Sequence, residues 1–184
     1  MIQLQTKRLI IRDHRYEDLP THHALFSDNV TMYYLQDIAT NTLEESMMNL
    51  QNTMNEMGKE DRRLYFLRIE AKDSREHIGE IGYTVTEFTP FGKMVSMGYF
   101  IKPIFWNKGY TTEALNELIR FAFVEDGVIR ISCGCMKDNI GSEKVMVKCN
   151  MTKEAEFKSF VWHDGKLKDR VEYRLLKSEW QPSR

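Results

Sequence analysis

Hydrophobic and polar positions change period several times along the chain, and each change marks an element. Lys7–His14 (KRLIIRDH) reads as a first strand. A helix follows, with Asp18 at its N-cap and Leu19, Leu25 and Phe26 on its apolar side. Leu43, Met47, Leu50, Met54 and Met57 then recur at steps of four and three, one stripe of a helix ending near Gly58 and expected to face the core. Arg62–Glu70, Glu76–Phe88 and Met94–Ile101 are rich in β-branched and aromatic residues and read as three meandering strands, the last two joined at TPFGK. Ala114, Leu115, Leu118, Ile119, Ala122 and Phe123 repeat as pairs every four residues, the buried face of a helix stopped at Asp126-Gly127. VIRISCGCM alternates as a strand, DNIGSEKVMVKC opens with capping residues and continues as a short helix, and the remainder is two alternating runs about Asp164-Gly165, a hairpin signature.

The order is strand, helices, three strands, helix, strand, helix, hairpin, which is an α+β layout. The passage from Ile101 through a helix to Ile129 is a βαβ unit, so two strands are expected to run parallel there. The 184 residues suit one domain, 1–184, and neither repeats nor a linker divide them.

Charge adds little to this picture. With 26 basic and 27 acidic residues, the formal net charge is −1 and gives no sign of a nucleic-acid or anionic-membrane partner. The N-terminus lacks the apolar core of a signal peptide, and the three cysteines, Cys133, Cys135 and Cys149, read as reduced thiols of a cytoplasmic protein.

The chemistry concentrates at two strand-to-helix junctions. WNKGYTTEAL (Trp106–Leu115) places Gly109 and small polar residues where a helix begins. Unpaired N–H groups, the positive end of the helix dipole, the missing Cβ and the charge of Lys108 together favour a phosphate. The same residues also suit an ordinary turn in which glycine serves geometry alone. Neither the Walker spacing nor the Rossmann fingerprint is present. KDNIGSEK (Lys137–Lys144) follows the other parallel strand, with Asp138 or Asn139 as cap and Ser142 in the first turn. Both junctions are expected to face one crevice.

At these residues the chain resembles a known family. GYFIKPIFWNKGYTTEALNELIRFAF and CMKDNIGSEKVMVKCNM are similar to consecutive motifs of the GNAT acetyl-CoA-dependent N-acyltransferases. The opening LQTKRLIIRDHRYED and closing DGKLKDRVEYRLLKSEW resemble the RimJ/RimL-type branch that acetylates protein N-termini, especially ribosomal ones, and includes small-amine enzymes. The resemblance implies a mixed, mostly antiparallel sheet with a central parallel pair, flanked by helices. It implies acetyl-CoA as cosubstrate, an amine acceptor (a peptide N-terminus or a small amine), no resident metal, and it allows a homodimer. Pyrophosphate would be held by the amides of Asn107, Lys108, Gly109, Tyr110, Thr111 and Thr112. Pantetheine would pair with the main chain of Phe100 and Ile101, with Asn139 on its arm and Ser142 near the thioester sulfur. Three departures stand out: Thr111 where a tiny residue is usual, Asn107 and Asn150 in place of glycines, and Ser96 in place of a carboxylate.

Acyl transfer needs a polarised thioester, a deprotonated amine and an acid for the leaving thiolate. The N–H near Ile101 is the expected polariser, and Ser142 is the acid that the resemblance implies, with Tyr99 and Tyr110 as weaker acids. A hairpin turning near Phe91 would set Glu80 opposite Lys102, close to the thioester, where desolvation would raise its pKa and make it the base. Cys133 and Cys135 read as core, since zinc lacks a fourth ligand at suitable spacing and no histidine is near in sequence to activate a thiol. His22-His23 reads as surface, Trp162 and Trp180 as packing, and the methionine stripe as core or as an adaptable acceptor wall. Asp28, Asp37, Glu44 and Glu45 could draw a cationic acceptor. A polyamine- or aminoglycoside-directed enzyme, and a non-catalytic acyl-CoA sensor, are the competing roles.

Overall fold

The computed structural model describes residues 1–181. Eight strands form one sheet: β1 (Gln3–Gln5), β2 (Leu9–Arg12), β3 (Leu64–Ala71), β4 (His77–Thr89), β5 (Gly92–Ile101), β6 (Val128–Met136), β7 (Thr152–His163) and β8 (Lys166–Leu176). Four α-helices accompany them: α1 (Leu19–Phe26), α2 (Leu43–Asn55), α3 (Tyr110–Val124) and α4 (Ile140–Lys148). The sheet order is β1-β2-β3-β4-β5-β6-β8-β7, with β5 and β6 parallel and every other neighbour antiparallel. The expected α+β sheet with its central parallel pair is therefore present. The single N-terminal strand is instead two, β1 folding back on β2 through Gln3↔Arg12 to Gln5↔Ile10. No helix among the described residues is long and apolar enough to cross a membrane.

Alternation divides the sheet into two faces of different character. Leu67, Ile69, Ile81, Tyr83 and Val85 join the face of α3, whose Ala114, Leu115, Leu118, Ile119, Ala122 and Phe123 are all buried, as the paired periodicity demands. The opposite face, under α1 and α2, carries buried charge: Arg12, Asp18, Arg68, Glu70, His22 and Glu80 are each no more than 6% exposed. Arg12 holds Asp18 at 2.7 Å and Glu70 at 2.5 Å, and Arg68 holds Glu70 at 2.8 Å. Such charges lie dry only when paired and hydrogen-bonded.

Several local expectations change in this setting. Asp18 occupies the N-cap of α1, but its carboxylate does not cap that helix; it accepts from Arg12 and from the Arg15 N–H. The α2 stripe is rotated: Ser46, Leu50 and Thr53 are buried, whereas Met47 is 45% exposed. His22 is buried, not superficial, and Trp162 is 71% exposed on the edge strand β7, while Trp180 packs on Phe123. The Asp164-Gly165 turn has positive φ at both residues (50° and 70°), as a two-residue hairpin loop of this hand requires.

Candidate active site

The parallel ladder between β5 and β6 runs from Lys93↔Val128 to Ser96↔Ser132 and stops. Ser132 Oγ donates to the Val95 carbonyl at 3.0 Å, and beyond this tie the strands part. Gly98–Ile101 on one side and Cys133–Met136 on the other line a cleft of about 890 Å³. The loops before α3 and α4 close one end, and Asn29–Thr31 with Tyr33–Leu35 wall the other.

The α3 end of the cleft is a donor surface. Gly109 is the N-cap at φ 77°, with no side-chain cap, and Asn107 also has positive φ (59°). Among the described residues, no protein acceptor meets the N–H groups of Asn107 through Thr112; the first paired amide is Glu113, on the Gly109 carbonyl at 3.0 Å. Six consecutive free amides at a helix start form an anion cradle. The outer side of the loop is fixed by Arg8, which donates to the Lys108 carbonyl (2.9 Å) and pairs with Glu113 (2.7 Å). The two asparagines that stand for glycines, Asn107 and Asn150, both lie at φ 59°, and asparagine is the side chain that best tolerates the left-handed region. Lys108 does not line the cleft; its ammonium sits 5.8 Å from the Phe105 ring. Thr111 does line it. In Gly109→Ala the new Cβ meets only Arg8 Nη2 at 3.5 Å, so the penalty is conformational, about 1–2 kcal/mol for a left-handed alanine. Thermal melts should show that loss, and calorimetry with coenzyme A should show weaker binding.

Register decides which β5 amides reach the cleft. The Lys102 N–H donates to the Ile78 carbonyl at 2.9 Å, so Lys102 and Phe100 turn their main chain toward β4. Tyr99 and Ile101 turn theirs away from it, into the gap. The Ile101 carbonyl is taken by Trp106 Nε1 at 2.9 Å, leaving its N–H directed into the cleft. Phe100 lines the cleft, but its amide serves the sheet, which corrects the expectation that both residues offer main chain to a ligand.

Asn139 and Ser142 also line the cleft. Asn139 Oδ1 accepts from the Ser142 N–H at 3.2 Å, the cap of α4. Ser142 Oγ donates to Tyr99 Oη at 3.1 Å, and Tyr99 donates to the Ser142 carbonyl at 2.9 Å. Burial pushes the Tyr99 phenol far above its ordinary range, so it keeps its proton. Tyr110 also lines the cleft, with the Arg8 guanidinium 4.3 Å from its ring centroid. Burial likewise pushes the Cys133 thiol up to about 12 and Cys135 up to about 11, so neither is a thiolate at neutral pH.

Glu80 lies elsewhere. The hairpin closes with Thr89 opposite Gly92, one residue from the expected register, and a bulge between Val85 and Glu87 shifts it by one more, so Glu80 pairs with Phe100, not Lys102. Its side chain points to the α1 face, is not part of the cleft wall, and is met by His22 Nδ1 at 2.7 Å and His14 Nε2 at 3.4 Å. Burial pushes its pKa up, but the neighbouring His14 and His22 outweigh that and hold it well below the ordinary carboxylate range. The raised pKa expected from the sequence is reversed. Its histidine partners come from segments about sixty residues away, and nothing local in the sequence marks them.

A parted parallel pair, an uncapped helix start beneath it and a hydroxyl pair at its centre are the frame of an acyl-carrier site. The family model for an acetyltransferase (GNAT) domain matches residues 8–152. The chain belongs to the GNAT acetyltransferase family. It is 28% identical over 176 residues to the uncharacterized N-acetyltransferase YoaA of Bacillus subtilis, covering 95% of this chain and 96% of that protein. Its fold superposes with a TM-score of 0.83 on RimL, a ribosomal alpha-N-protein acetyltransferase in complex with coenzyme A, at 18% identity over 95% of this chain and 98% of that one. With spermidine N-acetyltransferase from Vibrio cholerae, in complex with coenzyme A and spermine, the TM-score is 0.80 at 17% identity over 95% and 98%. As a GNAT protein, the chain is an N-acetyltransferase.

Proposed function

We propose that this GNAT protein transfers the acetyl group of acetyl-CoA to the terminal amine of a peptide by direct attack on the thioester. The observation that carries the reading is the run of free amides from Asn107 to Thr112 at the foot of the parted strands. A diphosphate there meets N–H donors and the helix dipole together. The pantetheine arm extends along β5 as an added strand, paired to the main chain of Tyr99 and Ile101. The thioester carbonyl then accepts from the Ile101 N–H, which stabilises the oxyanion as it forms. Asn139 faces the arm with the amide nitrogen that its capping role leaves free. The hydroxyl of Ser142, which rests on Tyr99 Oη in the free protein, turns to protonate the departing thiolate and takes back the proton that the attacking amine sheds as the amide forms. Glu80 is too enclosed and too acidic to serve as the base in this reading.

The acceptor end favours a peptide over a polycation. Asp138 is the one carboxylate among the cleft-lining residues described, and Lys168 already pairs with it. Asp28, one of the acids expected to draw a cationic acceptor, accepts instead from Thr31, and the Glu45 carboxylate accepts from the N–H groups of Asn41 and Thr42. The wall is instead Val30, Thr31, Tyr33, Tyr34 and Leu35, which suits main chain and small side chains. A thiol-release assay with acetyl-CoA decides the point. Turnover on N-terminal peptides should exceed that on spermidine, and preference for spermidine would reassign the acceptor; coenzyme A bound with no turnover on any amine would reject catalysis altogether.

Ser142→Ala should lower kcat by about 10²-fold, the scale of a lost general acid, with the affinity for coenzyme A little changed. Equal losses in both would leave Ser142 a binding role only.

A further inference from the structure

We propose that His14, His22 and Glu80 form a buried site for a divalent transition metal of the zinc class. The three converge from separate elements: His14 just after β2, His22 on α1 and Glu80 on β4. Each is at most 4% exposed, and one donor atom from each lies within 4.8 Å of the others. None lines the acyl-carrier cleft, so this site is independent of the proposed reaction.

The stranded imidazole of His14 carries the inference. Beside it, His22 Nε2 lies 3.1 Å from the Asn49 side-chain amide; with the amide oxygen toward the ring, that nitrogen bears the hydrogen and Nδ1 presents its lone pair. Yet Nδ1 is 2.7 Å from a Glu80 oxygen, which also offers only lone pairs when ionised. In that arrangement a cation lies between them, either a second proton or a metal. A second proton on His22 does nothing for His14, whose two ring nitrogens are both buried without a hydrogen-bond partner. Buried polar groups rarely stay unpaired. One metal ion answers both problems, taking His22 Nδ1, His14 Nε2 and the carboxylate together.

The distances to the carboxylate are near those of a zinc site, while the donor atoms as a set lie within 4.8 Å and must draw closer around one ion. In a tetrahedral zinc site with bonds near 2.05 Å, neighbouring donors are about 3.3 Å apart. His14 Nε2 stands 3.4 Å from Glu80 Oε2, while the His22–Glu80 pair must open by about half an ångström to reach that tetrahedral spacing. Each histidine faces a different oxygen of Glu80, so a bidentate carboxylate and two imidazoles give four donors from three residues. Metal-bound histidines characteristically hand their second nitrogen to a carboxylate or amide oxygen. His22 has Asn49 in that place, and His14 Nδ1 has Asp18 Oδ2 at 3.9 Å. Two imidazoles and a carboxylate suit zinc, cobalt(II) or iron(II), not calcium or magnesium. Behind the site Phe26 packs on His22 and on Phe100, so an ion there fastens α1 to the back of the strand that lines the cleft.

The test uses tag-free protein stripped with a chelator and titrated with Co(II) and with Zn(II) alone. One equivalent should bind, with the visible d–d bands of four-coordinate Co(II) and a higher unfolding temperature. The X-ray absorption spectrum of the zinc form should show imidazole and oxygen but no sulfur. Absence of stoichiometric binding overturns the proposal, as does a sulfur shell, which would place the ion on the cysteines. Asn49→Ala, in the supporting shell on α2, should weaken binding about 10-fold or more, and His14→Phe by at least as much. Undiminished affinity in Asn49→Ala overturns the site even if His14→Phe does not fold.

Discussion

Gly82→Ala should destabilise the protein by about 3 kcal/mol or more. A Cβ on Gly82 would stand 2.0 Å from the Tyr65 carbonyl oxygen and 2.8 Å from Phe66 Cα. Both obstacles are backbone of β3, the hydrogen-bonded neighbour, so no side-chain rotation relieves them, and the β3–β4 ladder must part. Urea unfolding should show a lower midpoint at unchanged slope. Gly79→Ala carries the same lesson to the active site. Its Cβ would lie 2.3 Å from the Phe100 carbonyl oxygen and 2.5 Å from Ile101 Cα. It pushes directly on the peptide whose neighbouring N–H is proposed to polarise the thioester, so kcat should fall together with stability. Gly98→Ala is the control: its Cβ meets nothing within 4 Å, and stability should stay within about 0.5 kcal/mol of the parent. Equal stability in Gly82→Ala and Gly98→Ala would mean that β3 and β4 do not approach as described.

Arg12→Met should cost about 3–5 kcal/mol, because it strands Asp18 and Glu70 in a dry layer with one cation fewer. Its pH dependence distinguishes this cause from simple loss of packing. Burial pushes the Glu70 carboxyl up, but hydrogen bonds and charges from Arg12 and Arg68 outweigh it, and the group titrates below its ordinary value of 4.5. Asp18 is lowered from 3.8 in the same way, by Arg12 and the Arg15 N–H against burial. With folded pKa values depressed, the unfolded chain binds more protons as pH falls. This stabilisation is therefore complete above about 4.5 and drains away as pH drops through the folded values. Without Arg12 the carboxylates lose that support, so the deficit of the variant should be largest near neutrality and shrink in acid. Urea midpoints for parent and variant from pH 7 to pH 3 check this, and a deficit independent of pH would assign Arg12 to packing alone.

Much of the fold can be read locally because its signals are local. The pairs from Ala114 to Phe123 recur with the helical period and need only one apolar neighbour to fix the face of α3. Asp164-Gly165 sets its hairpin through the conformations of two residues. The Trp106–Thr112 loop likewise reads as a phosphate candidate and Asn139 as a helix cap, since each is a turn whose chemistry lies within a few residues; the place of Ser142 beside the thioester comes from the family resemblance. The stripe of α2 shows where this fails. Met47 and Met54 keep the helical period, yet the buried face runs through Ser46, Leu50 and Thr53, because α2 lies over a polar layer whose members hydrogen-bond.

The sequence by itself determined the order of elements, the parallel crossover and the two junctions that meet at the cleft, because periodicity and turn chemistry act between neighbours. Only the tertiary structure decided where β5 and β6 part, that the hairpin register and a bulge near Val85 set Glu80 behind Phe100, and that His14, His22 and Glu80 share one dry pocket. Those outcomes depend on register and on contacts between residues about sixty positions apart, and a chain read in order carries no signal for either.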